Sequence, residues 1–301
     1  MANKSSGHSA KPFVKWAGGK SQILSEIRAK HPAGLGSRIT KYAEPFIGGG
    51  AVLFDVLNNF HLKEVYISDI NCELIHTYTT IRDDINGLID VLNEFQHEYI
   101  PVDSDARKEI YYNKRDRFNT LKIANDKTLE LAALFIFLNR TCFNGLYRVN
   151  SKGLYNVPQG SYKKPCICDG DNLRVVSEKL RGVEIVHGEY STAGDFIDNK
   201  TFAYFDPPYR PLSETASFTS YAQDGFDDAA QAKLASFIDE MSERGAYVVA
   251  SNSDPKNMDE SDDFFDKLYN KHKISRIEAN RAINSVGSGR GRVSELLIVN
   301  G

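Results

Sequence analysis

An apolar run that breaks at a turn and resumes with helical spacing occurs twice early in the chain. Tyr42–Phe46 leads into Gly48, Gly49 and Gly50 and then into a helical pattern over Ala51–Leu57. Glu64–Ser68 leads into Asp69 and a second helical pattern over Glu73–Arg82. The same order returns late: Thr201–Phe205 ends on Asp206, a helix is expected over about 227–244, and Ala246–Ser251 and Glu295–Asn300 read as strands. Strands that alternate with helices build a mostly parallel sheet, because parallel neighbours need a crossover between them. Between the two blocks, residues 83–138 carry Ile85, Leu88, Ile89, Leu92 and Phe95, then Leu129, Leu131, Leu134 and Phe135, at helical spacing. The expected fold class is therefore α/β, a doubly wound sheet interrupted by a smaller, mostly helical insertion. A short helical pattern over Ile23–Ile27 precedes the first strand, and the Ser-, Gly- and Lys-rich residues 1–11 read as a flexible arm.

At 301 residues, with 41% hydrophobic and 26% charged side chains, the composition is that of an ordinary globular protein and assigns no special class. No apolar run approaches the roughly 18 residues of a membrane span, and the first residues lack the apolar centre of a signal peptide, so a cytoplasmic protein without membrane contact is expected. Cys72, Cys142, Cys166 and Cys168 lack His or Cys partners at zinc-ligand spacing and read as free thiols, with no metal site expected. The net charge of −3 does not advertise a nucleic-acid partner. Local density does, however: Arg140, Arg148, Lys152, Lys163 and Lys164 fall in one stretch free of Asp and Glu.

Glu44-Pro45-Phe46-Ile47-Gly48-Gly49-Gly50 joins a strand to a helix through glycines that let backbone approach a ligand closely. The spacing is not that of a dinucleotide fingerprint, nor is a P-loop lysine present, which argues against a pyrophosphate ligand. Asp69, at the end of the next strand, is placed to accept from ribose hydroxyls. Together they fit a nucleoside without a polyphosphate, although a structural turn with an Asp helix cap would give the same local pattern.

Asp206-Pro207-Pro208-Tyr209 is the sharper motif. Two prolines remove two N–H donors and stiffen the turn, leaving carbonyls to accept hydrogen bonds. Asp206 and the Pro207 carbonyl suit the two hydrogens of an exocyclic amine, and Tyr209 suits stacking on its ring. In Phe143-Asn144-Gly145-Leu146-Tyr147-Arg148, followed by Asn156, Tyr162 and Lys163, aromatics interleave with amides and cations as base stacking, base-edge reading and phosphate contact require. The Ser/Thr-rich stretch Ser213–Tyr221 is a candidate closing loop, and Ser285–Arg292 is a basic connection with no catalytic role assigned.

These pieces, in this order, resemble the DNA adenine methylase (Dam) family, the D12 class (alpha group) of adenine-N6-specific DNA methyltransferases. The matching segments are Lys15–Lys20, Glu44–Gly50, Asp69, Asn139–Pro165, Tyr204–Tyr221 and Val293–Asn300, spanning nearly the whole chain. The resemblance implies a Rossmann-like methyltransferase sheet formed by residues 12–82 and 183–301, with a DNA target-recognition domain inserted at 83–182. It implies S-adenosyl-L-methionine as cofactor, S-adenosyl-L-homocysteine as its product, and Trp16, Ala17, Gly18, Lys20, Glu44, Pro45, Phe46, Gly48, Asp69 and Asp206 as the binding set, with Lys20 near the methionine carboxylate. Asp206, Pro207 and Tyr209 become the catalytic residues. Lys15, Phe143, Asn144, Leu146, Arg148, Asn156, Tyr162 and Lys163 become the contacts to double-stranded DNA: Arg148 and Lys15 read bases, Leu146 or Phe143 wedges into the stack, and Tyr162 and Lys163 hold phosphates. A flipped adenine within GATC is the implied target, in a bacterial or phage-encoded enzyme acting alone or beside a cognate restriction endonuclease it need not touch.

A cytosine-N4 methyltransferase would present the same amine to the same turn, though its motif often begins with Ser where this chain has Asp206. A DNA-binding relative without activity is the other alternative, against which the intact Asp206, Tyr209 and glycine turn speak. Cytosine-C5 chemistry is disfavoured, since no cysteine stands in either ligand motif.

Overall fold

The structure, a computed structural model, describes residues 9–210, 226–280 and 292–300. In chain order its principal elements are α1 (Leu24–Arg28), β1 (Lys41–Pro45), α2 (Ala51–Asn59), β2 (Glu64–Asp69), α3 (Cys72–Asp83), α4 (Ile85–Tyr99), α5 (Ser104–Ile123) and α6 (Leu129–Thr141). They continue with α7 (Gly170–Lys179), β3 (Val183–His187), β4 (Thr201–Phe205), α8 (Asp228–Glu243), β5 (Tyr247–Ser253), α9 (Phe264–Leu268), β6 (Lys273–Asn280) and β7 (Arg292–Val299). The chain divides into two compact units, one from the described residues of Met1–Gly19, Gly48–Asn59 and Asp69–His187, the other from those of Lys20–Ile47, Phe60–Ser68 and Gly188–Gly301.

In the second unit β1 pairs in parallel with β2 on one side and with β4 on the other, and β4 pairs in parallel with β5. Antiparallel pairing then adds β7 beside β5 and β6 beside β7. Every residue of β1 and of β4 is buried, as expected for central parallel strands covered on both faces. Because β1 takes neighbours on both sides, the carboxyl ends of β1 and β4 lie at the point where strand order reverses, the usual ligand position in a doubly wound sheet. The register of β1 with β4 sets Lys41 against Thr201, Tyr42 against Phe202 and Ala43 against Ala203. That of β4 with β5 ends on Phe205 against Ala250, and the next residues meet through their side chains, Ser251 Oγ donating to Asp206 Oδ1.

The first unit is built round α6, whose residues Leu131–Asn139 are all buried, as suits a helix packed on every side by α3, α4 and α5. Each of these helices starts on a side chain that accepts from its first turn: Asn71 for α3, Asp84 for α4, Asp103 for α5 and Thr128 for α6. The expected helical insertion thus resolves into three capped helices, and α7 and β3 follow it. Residues 1–8 of the expected arm lie outside the described residues. Ala10 is buried, with its N–H on Asn58 Oδ1 at 3.1 Å, and the Lys11 N–H donates to Asn172 Oδ1 at 2.9 Å.

The strand expected at Tyr42–Phe46 ends at Pro45, because Phe46 takes φ +88°, outside extended geometry. No helix among the described residues is long and apolar enough to cross a membrane.

Candidate active site and nucleic-acid interface

In the second unit, the turn after β4 is held from several sides. Asp206 Oδ1 lies 2.7 Å from Lys20 Nζ and accepts from Ser251 Oγ at 2.9 Å. Lys20 is buried, and its ammonium stands 4.6 Å from the centre of the Tyr209 ring. Tyr209 donates to Glu295 Oε2 at 2.7 Å. Burial first, then the Asp206 and Glu295 charges, push the Tyr209 phenol well above its usual range, so it remains a neutral donor.

The Pro208 carbonyl accepts from Gln231 Nε2 of α8 at 3.1 Å, and Gln231 Oε1 in turn accepts from Asn252 Nδ2 at 3.1 Å. Both amides are buried. Arg210 pins the far side of the turn to Asp228 and Asp262, each at 2.6 Å. The Pro207 carbonyl accepts from no donor among the described residues. A carboxylate, an unengaged carbonyl and a half-buried aromatic ring on one rigid turn can accept both hydrogens of an amine and cover its ring.

At the end of β1, Glu44 is buried and accepts from the Tyr42 hydroxyl at 2.7 Å, while Pro45 closes the strand. Phe46 follows in the left-handed region, a strain of about 1–3 kcal/mol for a non-glycine residue, and half-exposes a ring stacked on Tyr190 at 5.5 Å. Strain of this kind persists where the surroundings over-determine it, commonly at ligand sites.

In the first unit, Trp16 lies against the glycine turn: a Cβ on Gly48 would come within 2.7 Å of the indole, and one on Gly49 would lie 3.0 Å from Trp16 Cβ. At Gly48, with φ +46°, only glycine fits, and at Gly49 a side chain would be tight. Ala17 and Gly18 are exposed in the turn closed by the Gly19 N–H on the Trp16 carbonyl at 3.1 Å. Asp69 accepts the Gly48 N–H at 3.0 Å on one oxygen and the Asn71 N–H at 2.9 Å on the other. Each oxygen keeps a lone pair for a further donor. Burial raises the Asp69 carboxyl above its usual range, and the two backbone donors oppose that rise.

The recognition segment occupies the same unit. Phe143–Gly145 forms a turn with Asn144 at φ +55° and Gly145 at φ +65°, and Phe143 is 51% exposed, an unusual cost for a ring without a partner surface. Arg148, exposed, donates to Asn156 Oδ1 at 2.8 Å. Lys15, also exposed, places its ammonium 4.0 Å from the centre of the Tyr162 ring. Lys163 is exposed, and its carbonyl accepts from Arg107 at 2.9 Å. Leu146 is half-buried; its neighbour Tyr147 donates to the buried Glu73 at 2.7 Å and stacks on Trp16 at 6.2 Å. Cys142 is buried and its thiol is pushed up by that burial, which leaves it unreactive.

The candidate closing loop Ser213–Tyr221 and most of the basic connection Ser285–Arg292 lie outside the described residues. Gln231, Asn252, Glu295, Glu73 and Asn139 escaped the sequence reading. Glu295 had a signal, a lone charge inside the apolar run of β7; Gln231 had none.

Fold and site define the class: an α/β protein of the doubly wound type whose acceptor-rich turn follows a central strand. Residues 16–283 match the family model described as D12 class N6 adenine-specific DNA methyltransferase, and the chain belongs to that family. It is 47% identical to the Type II methyltransferase M.MjaIII of Methanocaldococcus jannaschii, over 96% of this chain and 99% of that one. The Type II methyltransferase M1.LlaDCHI of Lactococcus lactis subsp. cremoris is 36% identical over 96% of this chain and 95% of its own. The DNA adenine methylase of Escherichia coli K12 is 33% identical over 95% and 93%.

Proposed function

We propose that this protein transfers the methyl group of S-adenosyl-L-methionine to N6 of an adenine flipped out of double-stranded DNA, within GATC. The observation that carries the proposal is the Asp206-Pro207-Pro208-Tyr209 turn, fixed by Lys20, Ser251, Gln231 and Glu295.

Residues of the cofactor set fit such a group by their donor and acceptor chemistry. Asp69 keeps acceptor capacity for ribose hydroxyls, Gly48 lets the turn lie close against Trp16, Phe46 offers a half-exposed ring, and Lys20 supplies a cation for a carboxylate. Ala17, Gly18, Glu44 and Pro45 complete the proposed set. When bound, S-adenosyl-L-methionine supplies an electrophilic methyl group and leaves as S-adenosyl-L-homocysteine.

The chain's own residues then prepare the amine. Asp206 accepts one N6 hydrogen and the Pro207 carbonyl the other, which takes the lone pair out of conjugation with the ring and leaves it to attack. Tyr209 stacks on the flipped base. The proton lost from N6 after transfer passes towards Asp206. No covalent bond to the protein is needed.

Residues 12–82 and 183–301 are proposed as the catalytic part and 83–182 as the recognition part. Arg148 and Lys15 read bases, Phe143 or Leu146 enters the stack, Asn144 and Asn156 support the hairpin, and Tyr162 and Lys163 meet phosphates. A cognate restriction endonuclease would share the site without contact, and the cytoplasm of a bacterium or of a phage-infected cell is the proposed setting. Base-resolved sequencing of DNA from cells that express the chain tests the whole: N6-methyladenine within GATC is expected, and methylated cytosine, or no modified base, overturns it.

A further inference from the structure

The last turn of α6 carries a buried amide that joins two candidate reading elements. Asn139, 4% exposed, accepts the Lys15 N–H on Oδ1 at 2.8 Å and donates through Nδ2 to the Lys15 carbonyl at 2.8 Å and the Gly145 carbonyl at 2.9 Å. Both amide hydrogens are used. One side chain therefore fixes the backbone of Lys15 and that of the Asn144–Arg148 hairpin, though more than a hundred residues separate them in sequence.

The joint is closed from the other side by shape. Gly145 sits at φ +65°, and a Cβ on it would lie 2.5 Å from Lys15 Cβ. The Lys15 ammonium then reaches the Tyr162 ring, so the third candidate contact segment meets the same lysine. Two more bonds hold the partners of the joint: Arg140 of α6 donates to the Phe13 carbonyl at 2.8 Å, two residues before Lys15, and the Phe143 N–H donates to the Pro158 carbonyl at 2.9 Å within the recognition segment.

We infer that Asn139 is a specificity-positioning residue: it sets the separation between Lys15 and the reading hairpin, and so decides which pairs of bases can be read together. The inference rests on the proposed DNA methyltransferase function. Base-edge hydrogen bonds are lost with small displacements, whereas phosphate contacts by long flexible cations adjust to them. Loosening the joint should therefore cost discrimination while sparing general affinity. A residue that merely stabilised the unit would lower the melting temperature without changing the preferred sequence.

The test uses the full chain, a plasmid library and base-resolved detection of methylated adenine, which presumes no particular site. Asn139→Asp keeps size but removes both donors. Gly145→Ala opens the joint without touching Asn139. Leu92→Val, in the buried core of α4, serves as a destabilised control. Both joint variants should raise methylation at single-mismatch contexts relative to the preferred site by about tenfold, within the range set by losing one base-reading pair. Binding to a random-sequence duplex and its salt dependence should stay unchanged.

Unchanged preference in folded Asn139→Asp, or in Gly145→Ala should the first variant fail to fold, overturns the inference. An equal loss of preference in Leu92→Val does so too. Absence of any adenine methylation by the wild-type protein instead overturns the function on which the inference rests, and with it this role for Asn139.

Discussion

Lys20 Nζ stands 2.7 Å from Asp206 Oδ1 and 4.6 Å from the centre of the Tyr209 ring. The ammonium thus engages the acceptor and the aromatic face that the proposed amine substrate would use. A carboxylate arriving with a cofactor would compete with Asp206 for Lys20. The pair is also largely buried, so the two residues cannot be changed independently.

Asp206→Asn and Asp206→Ala should accordingly differ. Truncation leaves a buried ammonium without this partner, a defect of about 3–5 kcal/mol when one member of a buried pair is lost. The amide keeps an acceptor near Lys20. Both variants should lose about 10²–10³-fold in single-turnover methyl transfer, by analogy with removal of one polar group aimed at the reacting centre. Thermal unfolding should separate them, with the alanine variant much the less stable; transfer at near wild-type rate in either would refute the amine-accepting role.

The Tyr209 hydroxyl donates to Glu295 on β7, which orients the ring. Tyr209→Ala should weaken retention of the flipped base by about 1–3 kcal/mol, the worth of one base–aromatic stack. Tyr209→Phe and Glu295→Gln should each cost less, and the double variant no more than the larger single effect, because both remove one shared bond. Fluorescence of 2-aminopurine at the target position reports the flipped state, and strict additivity of the two changes would show that the bond does not orient the ring.

How far the sequence reached is clear from particular elements. Thr201–Phe205 was legible because a fully buried strand is an unbroken apolar run that ends on an unmistakable turn. The strand β6, Lys273–Asn280, was not: it pairs only with β7 among the described residues, and its isoleucines, Ile274 and Ile277, fall three apart, which masks the period of two. At the site, motif residues were legible as types suited to a chemistry. Their supports were not, since a buried Gln231 on α8 or Asn139 on α6 resembles any polar residue on a helix until a carbonyl is seen opposite it.

Asp69 gives a pH prediction with opposite signs for folding and binding. Burial raises its carboxyl in the folded protein above the ordinary value of 3.8, despite the opposing Gly48 and Asn71 N–H groups. The folded chain then holds this proton more tightly than the unfolded chain. Ionised Asp69 costs stability above the raised pKa, and that stability returns as pH falls through it. Cofactor affinity should move the other way, since a protonated carboxyl accepts poorly from ribose hydroxyls. Melting temperature and cofactor affinity measured against pH in wild type and Asp69→Asn should differ only across this window; parallel curves would remove Asp69 from the pocket.

Arg148 and Lys163 are both exposed cations of the recognition segment, yet they should fail differently. The Arg148 guanidinium is already oriented by Asn156 Oδ1 at 2.8 Å, and a fixed planar fork suits bidentate reading of guanine O6 and N7. Lys163 has a flexible stem and, among the described residues, no side-chain partner that would fix a direction, which suits a phosphate. Arg148→Ala should cost about 1–3 kcal/mol at the preferred site, little elsewhere, and so relax the choice of sequence. Lys163→Ala should weaken all duplexes alike and reduce the slope of log affinity against log salt by about 0.9. For the site itself, plasmid from expressing cells should resist a nuclease blocked by adenine methylation at GATC and be cut by one that requires it. Titrating salt for both variants on GATC and single-mismatch duplexes then separates reading from charge. If Arg148→Ala lost affinity equally on every duplex with a shallower salt slope, Arg148 would be a phosphate contact and the reading of guanine would have to lie elsewhere.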